Sequence, residues 1–153
     1  MAIVTVPELK TAQADGTCLL GFDIGAKTIG LALSDAALVV ASPLQTVSRT
    51  KFKRDTDILA RIIKEKRVGG LVFGLPISMD SSEGPRCQSV RQFADNLLAV
   101  IDIPIAFWDE RLSTAAVERV LISEADMTRK RRAQVIDKMA AAYILQGALD
   151  AAG

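Results

Sequence analysis

The sequence contains no histidine. Histidine carries the proton in serine and cysteine hydrolases and is a common zinc ligand, so Ser-His-Asp catalysis, Cys-His catalysis and histidine-ligated zinc are excluded. Any hydrolytic chemistry must therefore rest on carboxylates, lysines, hydroxyls or metal ions held by oxygen ligands.

Cysteine is scarce too, with only Cys18 and Cys87. They lack CxxC spacing and stand in apolar surroundings, which favours buried free thiols over a redox or metal role. No apolar run approaches the ~18 residues that would cross a membrane. Charged residues also interrupt the N-terminus where a secretion signal would be apolar. We therefore expect a cytoplasmic protein without a membrane partner.

What the chain does have is the composition of an ordinary globule: 153 residues, 50% of them apolar and 24% charged. That length suits one domain. Residues 1–16 are mixed and polar without a sustained period, so we expect a flexible N-terminal arm there and a single domain over 17–153.

Hydrophobic patterns predict strands first and then alternating helices and strands. The first three strands form a meander, in which Pro43 marks the third as an edge strand or a bulge. Asp55 is a candidate N-cap for the following helix. The predicted strands cover 17–25, 29–34, 39–47, 71–73 and 103–108, and the predicted helices cover about 55–68, 86–100, 113–124 and 133–151. This order predicts a mixed sheet with helices on both faces.

One carboxylate, Asp23, interrupts an apolar run that otherwise predicts a buried strand. Buried strands rarely carry an acid, because an unpaired buried charge is costly. Gly21 and Gly25 lie two residues to either side and share its face of the strand, leaving that face free of side chains. A metal ion or a phosphate could approach such a face, and a turn aspartate at a strand end explains the segment equally well.

Two neighbouring acids, Asp109 and Glu110, end the last predicted strand and precede Arg111. In sheets of this kind, binding sites form at the carboxyl ends of the parallel strands. Either acid could belong to such a site. The alternative is that both are solvated strand-end residues paired with Arg111.

Asp137 continues the apolar stripe of the last predicted helix, whose members are Ala140, Ala141, Ile144, Leu145 and Ala148. A carboxylate on the packed face of a helix suits a metal site at the rim of a core. The helix dipole offers another explanation, because it stabilises an acid in the first turn of a helix.

Three carboxylates without histidine suit hard divalent cations, since Mg²⁺ prefers oxygen ligands and leaves room for phosphate oxygens. Two such ions about 3.5–4 Å apart can activate water and stabilise the leaving oxygen of a phosphodiester. The formal net charge is only +1, so attraction to a polyanion would have to be local. The basic run nearest a candidate acid is Arg129, Lys130, Arg131 and Arg132, although such runs are usually solvated faces.

Four segments, taken together and in order, are characteristic of a known family. They are GFDIGAKTIGLA at 21–32, GLP at 74–76 with Asp80 and Glu83-Gly84 downstream, DERLST at 109–114, and DKMAAAYIL at 137–145. Through them the chain from Cys18 to Asp150 resembles the YqgF family of Holliday-junction-resolvase-like proteins, also described as pre-16S rRNA processing nucleases.

The resemblance implies an RNase H-like fold in which Asp23, Glu110 and Asp137 are the metal-binding catalytic acids. It favours Glu110 over Asp109. It also implies that a set of basic residues faces nucleic acid, namely Lys27, Arg111, Arg129, Lys130, Arg131 and Arg132.

The function implied is that of a nuclease, dependent on Mg²⁺ or Mn²⁺, which hydrolyses phosphodiester bonds at the 5′ end of pre-16S rRNA in ribosome biogenesis. The expected partners are RNA, in preference to DNA, and pre-ribosomal particles. We expect a monomer or a weak homodimer.

Three other functions remain open. A resolvase acting on four-way DNA would use the same chemistry but needs two active sites and hence a stable homodimer. A non-catalytic RNA-binding factor would keep the fold, and the intact set of three acids argues against it. The pattern from Asp23 to Gly30 is also similar to the first phosphate loop of sugar-kinase and actin-like ATPases, but 153 residues leave no room for their second lobe.

Overall fold

The structure, a computed structural model, describes residues 3–78, 80–112 and 129–151. Within them lie the strands β1 (Cys18–Ile24), β2 (Thr28–Ser34), β3 (Ala41–Ser48), β4 (Val68–Leu75) and β5 (Ile105–Asp109). The helices are α1 (Val6–Thr11), α2 (Phe52–Glu65), α3 (Pro85–Leu98) and α4 (Arg129–Asp150), and a 3₁₀ turn spans Glu110–Leu112. The helix predicted over 113–124 lies outside the described residues. None of the described helices is long and apolar enough to cross a membrane.

The strands form one mixed sheet in the order β3-β2-β1-β4-β5. β1 pairs antiparallel with β2, and β2 with β3, whereas β4 runs parallel to β1 and β5 parallel to β4. The predicted mixed five-stranded sheet is therefore confirmed. Pro43 lies on the edge strand β3 beside a shift in register, a position where a missing N–H is tolerated.

One face of the sheet packs against α2 and α3 through large apolar side chains. Phe22 of β1 stacks on Phe73 of β4 with ring centroids 4.4 Å apart, and Phe73 contacts Phe93 of α3 at 6.1 Å. Leu59 of α2 belongs to the same buried cluster. Because β1 is central and covered on both sides, all seven of its residues are buried.

The opposite face packs against α4 through small residues. Ala32 and Val72 of the sheet share a buried cluster with Ala141 and Leu145 of the helix. Gly21 allows this close approach, because a Cβ there would lie 2.8 Å from Leu145 Cβ. Helices therefore cover both faces, as predicted. The interpretation of Gly21 as clearance for a ligand is wrong, since α4 fills that space.

The expectation of a flexible N-terminal arm over residues 1–16 is also wrong, because α1 is an ordered part of the core. Thr5 and Glu8 form a reciprocal capping box at its start, and Leu9 is fully buried. Lys10 Nζ donates to the carbonyls of Leu149 at 2.8 Å and Ala151 at 3.1 Å, which satisfies the end of α4. A helix of six residues is too short to show a period, so its signals were the capping box and Pro7 in its first turn.

The starts of α2 and β4 differ from the prediction. α2 begins one turn before Asp55, which is not its N-cap; the buried Asp55 carboxylate accepts hydrogen bonds from the N–H and hydroxyl of Thr50. β4 begins at Val68 and includes two glycines that resemble a helix end. The N-terminal residues pack over these glycines: a Cβ on Gly70 would lie 2.6 Å from Leu9 Cδ1 of α1, and a Cβ on Gly69 would meet the side chain of Gln13.

Candidate active site

Asp23 lies near the carboxyl end of the central strand β1 and is 7% exposed. Its partner across the antiparallel pair is Gly30 of β2. Since side chains alternate along a strand, Asp23 shares the face of Gly21, which contacts α4. The acid therefore belongs to the interface between the sheet and α4, and the alternative of a turn aspartate at a strand end does not account for its burial.

Asp137 lies eight residues beyond Arg129, where α4 begins. The helix starts before the predicted residue 133, so Asp137 is in its interior and the first-turn dipole does not explain the acid. A Cβ on Gly30 would overlap the Asp137 carbonyl, and the Thr28 hydroxyl donates to Asp137 Oδ2 at 2.5 Å. Because Gly30 pairs with Asp23, α4 places Asp137 beside the strand pair that carries Asp23.

Glu110 is the first residue of the 3₁₀ turn that follows β5. Trp108, two residues earlier, packs in the α4 cluster, so strand alternation directs Glu110 toward the same face. The Cγ atom of Glu110 lies close to Gly74 of β4. A Cβ added to that glycine would be 3.0 Å from the Glu110 Cγ. Gly74 and Asp23 each lie one residue beyond the last pair of the β1–β4 ladder, so Glu110 reaches the level of Asp23.

Asp109, by contrast, forms an ion pair with Arg111. Arg111 Nη2 lies 2.6 Å from Asp109 Oδ2, and its Nε lies 3.1 and 3.0 Å from the two carboxylate oxygens. The same guanidinium donates to the Ser78 carbonyl and the Ser81 hydroxyl, each at 3.2 Å. The Arg111 hydrogen bond lowers the pKa of the Asp109 carboxyl. Arg111 thus ties the end of β5 to the loop after β4, and its contact with nucleic acid stays a prediction.

We expect Asp109→Asn to lower the free energy of unfolding by about 1 kcal/mol at neutral pH, because it removes the charge of a bidentate pair. The pKa of Asp109 is depressed in the folded state, so its contribution is present above the unfolded-state value of about 3.9. It is lost as pH falls through the folded-state pKa. Urea unfolding of both proteins should therefore show a difference at neutral pH that closes as the pH falls below this folded-state pKa. A difference independent of pH would contradict this assignment.

The basic residues near the acids lie on two elements. Lys27 is exposed in the turn between β1 and β2. Arg49 holds this turn, since its N–H donates to the Lys27 carbonyl at 2.8 Å and its Nη1 to the Gly25 carbonyl at 2.7 Å. Arg49 was not identified from the sequence as a residue that positions this turn. Its contact with the Gly25 carbonyl joins residues 24 positions apart, which no local pattern shows. The first turn of α4 contains the basic run, whose side chains the structure does not describe: Arg129, Lys130, Arg131 and Arg132.

The three candidate acids come from β1, the turn after β5, and α4, on one side of the sheet. Their oxygen-only chemistry fits Mg²⁺ or Mn²⁺. Among the residues that the structure describes, no group of three or more His, Cys, Asp or Glu side chains is placed to hold a metal ion. Asp137 is bonded to Thr28 instead. The donor chemistry therefore fits a divalent cation, whereas the side chains do not converge on a common point in this arrangement.

We expect Thr28→Val to lower the free energy of unfolding by about 1–2 kcal/mol. Valine keeps the shape of threonine but removes the hydroxyl that donates to Asp137 Oδ2, so a half-buried carboxylate loses a partner. Urea denaturation measures the loss, and Thr28→Ser, which retains the hydroxyl, is the control. Destabilisation by Thr28→Ser but not by Thr28→Val would show that the methyl group matters and the hydrogen bond does not.

A mixed sheet in this order, with helices on both faces and acids at the ends of a central strand and an outer strand, defines an RNase H-like nuclease domain. A family model described as RuvX, Holliday junction resolvase, matches residues 17–151. The chain belongs to this family, which confirms its resemblance to Holliday-junction-resolvase-like proteins.

Several curated relatives carry the name "Putative pre-16S rRNA nuclease". The relative from Paramagnetospirillum magneticum is 58% identical over 98% of this chain and 96% of its own length. The relative from Phenylobacterium zucineum is 56% identical over 98% of this chain and 97% of its own length. The similarity thus spans nearly the whole of each protein.

Among solved structures, Thermus thermophilus RuvC in complex with a Holliday junction substrate superposes with a TM-score of 0.52 at 13% identity. The match covers 87% of this chain and 93% of that one. A likeness at this level of identity concerns the fold alone, and it confirms the predicted RNase H-like architecture.

Proposed function

We propose that this protein is a divalent-metal-dependent nuclease whose catalytic acids are Asp23, Glu110 and Asp137. The observation that carries the proposal is the placement of these acids, from two strand ends and one helix, on the same side of the sheet. A divalent cation bound there would polarise the phosphodiester and supply an activated water.

The surrounding residues would keep the acids in place. Asp23 belongs to a fully buried strand, so packing on both faces of the sheet fixes its position. The Thr28 hydroxyl restricts the orientation of the Asp137 carboxylate. Arg111, bound to Asp109 and to the loop after β4, steadies the turn that Glu110 begins. Fixed positions for the acids would lower the cost of bringing them together around a divalent cation.

The substrate we propose is RNA, specifically the 5′ end of the 16S rRNA precursor in pre-ribosomal particles of the bacterial cytoplasm. Relatives that are 54–58% identical, aligned over nearly their whole length, are named for this RNA. Lys27, beside β1, and the basic start of α4 would contact phosphates, which positions a strand without reading its sequence.

The test is a cleavage assay on two substrates, a precursor rRNA 5′ fragment and a four-way DNA junction. Each is incubated with Mg²⁺, with Mn²⁺ and with chelator. We expect the RNA to be cut only with metal, and Glu110→Gln to be inactive. Cleavage that survives both chelator and Glu110→Gln would overturn the metal dependence and the role of Glu110.

The second candidate is resolution of four-way DNA junctions, which the description of the matching family favours. Paired cuts on a junction need two active sites, so this function requires a stable homodimer. Sedimentation of the protein with and without junction DNA separates the two candidates. A stable dimer that cuts the junction and leaves the precursor RNA intact would replace our first choice.

A further inference from the structure

A small surface pocket lies where the turn after β1 meets the start of α3. Its volume is about 170 Å³, and it is lined by Ile24, Gly25, Ala26, Arg86, Ser89 and Val90. Pockets that hold whole cofactors or drug-sized ligands measure roughly 300–1,000 Å³. This pocket is therefore too small for a separate cofactor and suits a smaller group, such as one phosphate with part of its sugar.

The lining divides into an apolar floor and a polar mouth. Ile24 and Val90 are 5% and 2% exposed and form the floor, whereas Arg86 and Ser89 are exposed and offer a guanidinium and a hydroxyl. The Arg86 guanidinium can bind an anion, and the apolar floor can contact a less polar group attached to that anion. A phosphate on a ribose has this character.

The side of the pocket formed by α3 carries a positive charge without a paired acid in the same turn. The first turn of α3 carries no acidic residue, and its N-cap, Gly84, has no side chain to bond the free N–H groups. Glu83, the acid preceding this turn, is neutralised by Arg91, whose Nε and Nη2 lie 2.7 and 2.9 Å from its carboxylate oxygens. Arg86 is thus left as the charge that faces the pocket.

The wall opposite α3 is fixed in position by Arg49. Its Nη1 donates to the Gly25 carbonyl at 2.7 Å, and its guanidinium lies 5.3 Å from the centroid of the Phe93 ring. A second backbone bond joins Arg49 to the same turn at 2.8 Å. These contacts therefore preform the pocket without a ligand.

The pocket also lies directly beside the candidate acids. Ile24 follows Asp23 in β1, so their Cα atoms are about 3.8 Å apart and their side chains point to opposite faces of the sheet. A strand that crosses the end of β1 from the α4 side to the α3 side would therefore pass Asp23 first and the pocket next.

We propose that this pocket binds the nucleotide next to the scissile phosphate, with the backbone phosphate on Arg86 and Ser89 and the ribose against Ile24 and Val90. The proposal rests on the proposed nuclease function. It assigns the α3 side of the sheet end to substrate binding, opposite the α4 side that carries the acids. A strand held on both sides of β1 has to be unpaired there, so the substrate class is single-stranded nucleic acid.

The test measures binding separately from cleavage. Protein with Asp23→Asn is titrated onto a fluorescein-labelled single-stranded RNA decamer, and anisotropy is followed over a series of salt concentrations. Adding Arg86→Gln should weaken binding about tenfold and reduce the salt dependence by about 0.7, the value for one phosphate contact on a single strand. Arg61→Gln, an exposed arginine on α2, is the matched control and should leave both quantities unchanged.

The possible outcomes distinguish failure of the pocket proposal from failure of the nuclease proposal. Equal affinity and salt slope in Arg86→Gln and Arg61→Gln, with melting temperatures matching the parent, would overturn the pocket and leave the nuclease proposal intact. Failure of every protein to bind the decamer would overturn the nuclease proposal and the pocket with it. Weaker binding of a fully paired RNA duplex than of the decamer supports the assignment to single strands, and tighter binding of the duplex contradicts it.

Discussion

Asp23→Asn is expected to reduce the single-turnover cleavage rate of the precursor RNA by roughly a thousandfold or more. Asparagine has the shape of aspartate but no charge, so it binds a divalent cation weakly. Charge stabilisation by a bound cation amounts to several kcal/mol, and about 4 kcal/mol corresponds to three powers of ten in rate. Of the three acids Asp23 is the one on the central strand, so its loss removes the ligand that the rest of the sheet positions most rigidly.

The control for this variant is Asp57→Asn, the same substitution on the exposed face of α2. Asp57 lies 3.6 Å from Lys53 with both side chains largely in solvent, so its charge contributes little to stability. We expect wild-type rates from this control and closely similar circular dichroism spectra from both variants. If Asp23→Asn retains a rate within tenfold of wild type, Asp23 does not bind the catalytic metal.

The candidate acids could be found from the sequence because each one disturbs a local pattern. Asp23 interrupts an apolar strand, Glu110 ends another, and Asp137 extends the stripe of a helix. The residues that position them give no such signal. Thr28 and Asp137 are 109 residues apart, and nothing near either residue indicates the other.

For the fold, too, local sequence patterns were informative and contacts between distant residues were not predictable. The strand order follows from a meander and two parallel crossovers, which short and right-handed connections allow in few ways. Glycines were misleading, because a glycine admits a ligand, a turn or a neighbouring helix equally well. Gly21 accommodates Leu145 of α4 and Gly70 accommodates Leu9 of α1, and only the three-dimensional packing distinguishes these roles from a binding site or a helix end.

Gly30 should tolerate substitution least among the residues around the site. It pairs with Asp23, and a Cβ built on it would overlap the carbonyl group of Asp137 and lie 3.1 Å from the N–H nitrogen of Lys138. These are backbone atoms of α4, so no rotamer change can relieve the contact. Gly30→Ala must therefore move the helix away from the sheet.

The displacement should affect stability and activity together. Overpacking a close interface costs about 3 kcal/mol at the upper end of its usual range, which for a chain of this size lowers the melting temperature by about 6–12 °C. Misplacing a catalytic group by about 1 Å can reduce the rate a hundredfold. Thermal melting and single-turnover cleavage, measured below the melting temperature of the variant, test the two effects separately.

Gly84→Ala is the matched control, because no atom lies within 4 Å of the Cβ that it would add at the start of α3. It should melt near the wild type and cut at the wild-type rate. If Gly30→Ala behaves in the same way, α4 does not lie against β2 as described. If it is unstable but fully active, Asp137 takes no part in the chemistry. Asp23→Asn removes a charge and keeps the packing, whereas Gly30→Ala keeps every acid and alters the packing. If both variants lose activity, cleavage depends on the acids and also on the distances between them.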